Sequence, residues 1–353
     1  MGSITMKQLA RKLGVSVTTI SNAYNRPDRL SADLRARILA TGEELGYCGP
    51  DAAGRLLRSG KANAIGVISG SSYSYAFTDP YAVELFAGMS GVLEREGVSL
   101  ALIPTAGDRQ GPEAISNAVV DAIINMSARS KSRAIDVARR RGLRVIFTHM
   151  VDGAEYVAID DHQAGRMMGR HLASLGHRRV AIVYQDHALD EPTVYDVGRL
   201  TAICADFAES AGSFWGVRLQ GIVDGLGSDC EVVLIAIPDN ERLAGRLAAI
   251  AAVHLDPRPT AIVALSDRMA LGVLDEIEDR RLVAGRDLSV AGFDAVPESR
   301  HRGLTSVRQP TGEKGRLLAR LALEPDAVEH QIVLPVDLVV GRTTAAPGPA
   351  LVP

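Results

Sequence analysis

Cysteine is scarce. The 353 residues hold three, Cys48, Cys204 and Cys230, far apart and at no metal-ligand spacing. This argues against a disulfide-stapled scaffold or a zinc ribbon and fits a reducing cytoplasm. Long apolar runs are also missing. Hydrophobic residues make up 46% of the chain, enough for a sizeable core, yet no stretch reaches the length that spans a bilayer. The first residues lack the basic-then-apolar pattern of a secretory signal. The expectation is a cytoplasmic protein with no membrane partner. Catalytic motifs are absent as well: no phosphate loop ending in Gly-Lys-Ser/Thr, no Gly-x-Ser-x-Gly elbow, no His-Glu-x-x-His helix, no dinucleotide fingerprint. The eight histidines never pair at ligand spacing. A binding protein is expected rather than an enzyme, with no metal and no cofactor.

Charge is present but unevenly placed. The net value is −3, whereas the first 61 residues carry about +5 and the remainder about −8. The basic end also holds the most local structure. Thr5 can cap a helix whose apolar positions Met6, Leu9, Ala10 and Leu13 recur at helical spacing, and Gly14 can stop it in the left-handed conformation. Ser16 can cap a second helix in which Val15, Thr19, Ile20 and Ala23 share one side. Val17, Thr18, Ser21 and Asn22 are left facing outward. A short polar helix held against another by a glycine turn is the geometry that enters a DNA major groove. Ser31 begins a third helix, and a breaker at Gly49-Pro50 precedes a short segment containing Ala53, Gly54 and Leu56.

From residue 62 the pattern changes to buried strand-like runs alternating with helices. Strands are predicted near 64–68, 99–103, 122–124, 145–147, 157–159, 180–184, 232–237, 261–265, 289–293 and 331–338. Helices are predicted near 81–96, 131–141, 163–175, 199–211, 240–253 and 312–323. Such interleaving implies parallel sheets covered on both faces.

Gly14-Val15-Ser16, Thr19-Ile20-Ser21-Asn22, Leu45-Gly46-Tyr47 and Ala53-Gly54-Arg55-Leu56 together resemble the lactose-repressor family of bacterial transcription regulators, and the likeness runs almost to the C-terminus. The resemblance implies a fold: an N-terminal all-α helix-turn-helix domain (1–47), a hinge (48–61) and a dimerising effector domain (62–346). The last has two Rossmann-like lobes similar to periplasmic binding proteins, with crossovers near 160, 290 and 325, before a tail (347–353).

The resemblance also implies roles. Val17, Thr18 and Asn22 fall where relatives reach base edges, and Asn22 stands where many carry arginine, which points to a different operator base. Thr5, Ser16, Ser21 and Asn25 are expected on phosphates. Two copies of the hinge would order together on DNA, with Ala53 permitting close approach and Leu56 wedging into a minor-groove step. Ligands of open α/β folds lie beyond the carboxyl ends of the strands. The expected effector residues are therefore Tyr75, Phe77, Asp79, His149, Arg199, Asn240, Ser266, Asp267 and Asp294, with Arg199 and Asp294 as a clamp from facing sides.

The function implied is a homodimeric, DNA-binding transcriptional repressor controlled by a small molecule, a sugar or related polyol. Asn240 sits where relatives have an aromatic, which counts against a purine or nucleoside corepressor, the alternative ligand class. A cytoplasmic small-molecule binder without working DNA recognition is the other alternative.

Overall fold

Three serine or threonine caps build the N-terminal helices. Gln8 N donates to Thr5 Oγ1 at 3.4 Å while Thr5 N donates to Gln8 Oε1 at 2.8 Å, a reciprocal cap on α1 (Met6–Leu13). Gly14 ends that helix at φ +67. Thr19 N donates to Ser16 Oγ at 3.0 Å to start α2 (Val17–Asn25), and Leu34 N donates to Ser31 Oγ at 3.4 Å to start α3 (Ala32–Glu44). Leu9, Ala10, Ile20, Ala23, Ile38 and Tyr47 form the small core these helices share. The structure, a computed structural model, describes residues 4–47, 49, 60–69, 72–105, 110–127, 131–206 and 213–348. The expectations for Cys48, Ala53 and Leu56 lie outside the described residues. The chain divides into two compact units, Met1–Ala62 and Asn63–Pro353.

The second unit has two lobes. The first lobe's sheet runs β12-β5-β4-β3-β1-β2 and is parallel throughout. It comprises β1 (Ala64–Ile68), β2 (Ser99–Leu102), β3 (Ala122–Asn125), β4 (Arg144–Phe147), β5 (Glu155–Ile159) and β12 (Gln331–Leu334). Its helices are α4 (Tyr73–Thr78), α5 (Pro80–Glu96), α6 (Gln110–Asn117), α7 (Arg133–Arg140) and α14 (Thr311–Leu323). One side of this lobe packs Leu85, Met89 and Leu318 on Ile65 and Ile124; the other packs Ile115 and Ile135 against Ile123 and Phe147.

The second lobe's sheet runs β13-β11-β10-β9-β6-β8-β7. It comprises β6 (Arg179–Gln185), β7 (Thr193–Asp196), β8 (Glu231–Ile237), β9 (Ala261–Ala264), β10 (Ser289–Asp294), β11 (Thr305–Arg308) and β13 (Asp337–Val339), flanked by α8 (Asp161–Ser174), α9 (Leu200–Asp206), α10 (Ser213–Leu226), α11 (Arg242–Val253), α12 (Asp267–Asp279) and α13 (Pro297–Arg302). The edge strands β7 and β13 are antiparallel, which the expectation of wholly parallel sheets did not include.

The chain leaves the first lobe after Ile159, returns after Arg308, and crosses again between Leu334 and Asp337. Two expected crossings are therefore displaced. Residues 289–290 open the buried strand β10 inside the second sheet, and 322–329 merely join α14 to β12 within the first lobe. The run 331–338, expected as one strand, is divided by Pro335, which cannot donate to a ladder. Its two halves belong to different sheets.

Helix α10 was not among the helices expected from the sequence, and it carries Gly216, Gly221 and Gly225 in its interior. The structure gives the reason for two of them. Gly165 and Gly169 on α8 face Gly221 and Gly225 on α10, and a Cβ on any of the four would come within 3.0 Å of the other helix's backbone. The conformational cost of glycine inside a helix is offset by this close approach.

Candidate functional site

The successive strands of both lobes deliver residues to one cavity of about 280 Å³. Ser69 follows β1, Ser127 follows β3, Thr148 follows β4 and Asp161 follows β5. From the other lobe, His187 follows β6, Asn240 follows β8, Ser266 follows β9, and Asp294 ends β10. This is the crevice beyond the carboxyl ends of the strands, duplicated and closed face to face.

Its charged groups are buried. Arg218 and Asp161 are 4% and 5% exposed. Arg218 Nη2 and Nε donate to Asp161 Oδ1 at 2.8 and 3.1 Å, and Nη1 donates to Leu265 O at 2.6 Å. The guanidinium lies 3.5 Å from the centroid of Phe293 and 5.3 Å from that of Trp215, so aromatic faces contribute to holding it. The glycine-lined contact of α8 with α10 brings the two partners together: Gly165 faces the backbone of Arg218, and Gly221 faces that of His162, next to Asp161.

Lys314 enters the cavity from α14 and donates to Tyr81 Oη at 3.1 Å. Burial, with Arg218 nearby, pulls its ammonium down to about 8 although Asp161 and Asp294 oppose the shift. Burial pushes the Asp294 carboxyl well above the usual range; Arg218 counteracts this, while Asp267 and Asp79 add to it. Burial also raises Asp79, against the pull of Arg268. Gln309 Nε2 donates to Asp294 Oδ1 at 2.7 Å.

Asp294 and Ala295 adopt φ of +112 and +51, a conformation non-glycine residues avoid. Asp267 maintains it from below. Its carboxylate accepts from Ser306 Oγ at 2.7 Å, from Val296 N at 2.9 Å and from Ser299 Oγ, while Ala295 N donates to Ser306 Oγ at 3.0 Å. Burial raises Asp267 to about 6, and these hydrogen bonds restrain the rise.

The lobes also touch each other at this site. Asn240 Nδ2 donates to Tyr75 Oη across the cleft at 2.6 Å, and Arg268 Nη2 donates to Thr78 Oγ1 at 3.4 Å. His149, buried from the first lobe, rests 5.6 Å from the ring of Phe214 in the second. Among the described residues neither nitrogen of its ring has a hydrogen-bond partner, and burial, then Lys314, pulls it down to about 4.

Five of the nine expected effector residues therefore line the cavity: Tyr75, Asp79, Asn240, Ser266 and Asp294. The other four do not. Arg199 sits exposed in a short turn, 5.4 Å from the Tyr195 ring, and the buried arginine of the cleft is Arg218 on the unexpected helix. Phe77 is 64% exposed, because α4 turns it outward while turning Ala76 and Tyr75 in. His149 lies behind the wall, and Asp267 beneath Asp294. Sequence reasoning also missed Asp161 and Gln309, although both directly follow strand ends, where the same rule could have found them, and Lys314, which lies inside α14.

In the N-terminal unit Val17, Thr18 and Asn25 are exposed, and Ser21 and Asn22 are half-buried on the outer side of α2. Ser16 carries its cap, and the hydroxyl of Thr5 donates to Gln8 Oε1 at 2.9 Å.

A capped helix-turn-helix followed by a two-lobed α/β sensor with its cavity between the lobes defines a class of ligand-responsive DNA-binding regulators. Residues 5–49 match the family of bacterial regulatory proteins known as the lacI family, and residues 170–344 match the periplasmic binding protein-like domain. The chain is 34% identical to an HTH-type transcriptional regulator of Mycobacterium tuberculosis and 32% identical to the HTH-type transcriptional regulator IpsA of Corynebacterium glutamicum, with 97% of each chain covered. It superposes on the crystal structure of a LacI-family regulator from Corynebacterium glutamicum with a TM-score of 0.70 at 28% identity, over 98% of this chain and all of that one. The chain belongs to the lacI family and is a DNA-binding transcriptional regulator. Among the described residues no helix is long and apolar enough to cross a membrane, and no three or more His, Cys, Asp or Glu side chains are grouped so as to hold a metal ion.

Proposed function

We propose that this regulator is a homodimeric repressor whose grip on double-stranded operator DNA is set by a polyhydroxylated small molecule, a sugar or related polyol, bound between the lobes. The observation that carries the ligand class is the lining of the cavity. Carboxyl groups (Asp79, Asp161, Asp294) and charged donors (Arg218, Lys314) share one buried space with the apolar faces of Phe214 and Trp215. A hydroxyl group both donates and accepts, so a ring of hydroxyls satisfies both kinds of wall, while its C–H surface rests on the aromatics.

In this reading Val17, Thr18 and Asn22 read base edges and Thr5, Ser16, Ser21 and Asn25 hold phosphates. Ala53 and Leu56 act in the hinge. The effector acts only through its differential affinity for two arrangements of the lobes, one of which favours paired hinges on DNA. Fluorescence anisotropy with promoter fragments tests the whole reading. Sequence preference above the salt-dependent background is expected, and a polyol should shift it. Absence of any preference, with or without candidate ligands, would refute it.

A further inference from the structure

Lys314 is the cation of the cleft that makes no ion pair with any described residue. It is 3% exposed, and among the described residues its only hydrogen bond goes to Tyr81 Oη. An ammonium has three donors, so two remain. No carboxylate of the described residues reaches it at ion-pair distance, and the nearby Asp161 is bound instead by Arg218 through two hydrogen bonds to one oxygen. Arg218 itself keeps two of its five N–H donors unspent among the described residues. A buried ammonium is costly unless paired. The cavity thus has a cationic region at Lys314 and Arg218; of its three carboxyl groups, Asp161 pairs with Arg218, while burial shifts Asp79 and Asp294 toward the neutral form that can still bind hydroxyls. The aromatic wall of Phe214 and Trp215 supplies no counter-charge, and the ring of His149 is neutral at physiological pH.

We propose that the effector carries an acidic oxygen group, a carboxylate or a phosphate ester, seated on Lys314 Nζ and Tyr81 Oη, with its hydroxylated remainder on Asp79 and Asp294. This rests on the polyol reading above and narrows it to sugar acids and polyol phosphates. The acidic group completes the hydrogen bonds of Lys314 and supplies its missing counter-charge, which a neutral hydroxyl does not.

Isothermal titration of the full chain with matched sets tests it: glucose, gluconate, glucuronate and glucose 6-phosphate, then myo-inositol and its 1-phosphate. An acidic member should bind at least tenfold tighter than its neutral counterpart; preference for the carboxylates or for the phosphates identifies which acid is read. Lys314→Met and Lys314→Gln should each abolish that preference while retaining the wild-type circular dichroism spectrum. The wild-type comparison decides even if neither variant folds. Neutral members binding as tightly as every acidic one would overturn the acidic group and leave the polyol reading standing. Binding of no polyol, neutral or acidic, would overturn both.

Discussion

Adding one methyl group at Gly221 should separate two helices and disable the cleft above them. The Cβ of Gly221→Ala falls within 3.0 Å of the carbonyl oxygen and carbon of His162, all backbone of α8, which no side-chain rotation relieves. Restoring ordinary contact requires α8 and α10 to part by about 1 Å, at an overpacking cost of roughly 1–3 kcal/mol. The opposite result is expected at Gly91 on α5, where nothing lies within 4 Å of the added atom and the backbone is ordinary helix. There Gly91→Ala should stabilise by up to about 1 kcal/mol through helix propensity alone. A protein of this size moves by about 2 °C per kcal/mol, so the two variants should melt several degrees apart, on either side of wild type. Gly221→Ala should also weaken ligand binding, since His162 adjoins Asp161 and the Arg218–Asp161 pair spans the same helix contact. Equal melting temperatures for Gly221→Ala and wild type would refute the close-packing argument.

Three further outcomes follow from other parts of the molecule. His149 titrates near 4 when folded against 6.5 when unfolded, so between those values the unfolded chain binds the extra proton and stability falls as pH falls; the loss reaches about 3 kcal/mol. His149→Gln should flatten that part of the profile in urea titrations from pH 7 to 4; an unchanged difference from wild type across the window would contradict it. Asp267→Asn puts an NH₂ group among donors from Ser306, Val296 and Ser299, and should cost about 1–3 kcal/mol while releasing Asp294 from its strained backbone. Effector affinity should fall at least tenfold with operator binding retained, and intact effector affinity would show that Asp294 needs no such strut. Asn22→Ala should relax base choice at one position per half-site, at about 1–3 kcal/mol; an unchanged profile across an operator library would count against a base contact.

The N-terminal helices were legible in the sequence because what makes them is local. Thr5, Gly14, Ser16 and Ser31 act within three or four residues of themselves, and their caps and turn need no distant partner. Asn240, Ser266 and Asp294 were legible for a related reason: each stands at or just beyond the end of a recognisable buried strand, and topology brings strand ends to one crevice.

Arg218 and Lys314 were not legible, because each sits within a helix and reaches the cleft through a long-range event. Arg218 depends on four glycines that fit α10 against α8, and those glycines, read one at a time, look like interruptions. Lys314 depends on the return crossing after Arg308, which places α14 in the first lobe beneath the site. Arg199 and Asp267 failed in the opposite sense, having the right chemistry near the right strands but facing solvent or the underside of a turn. Capping and strand patterning determined where elements begin and end; packing between elements far apart in the chain decided which charged side chains share a buried space, since burial is a property of neighbours that no short stretch of sequence contains.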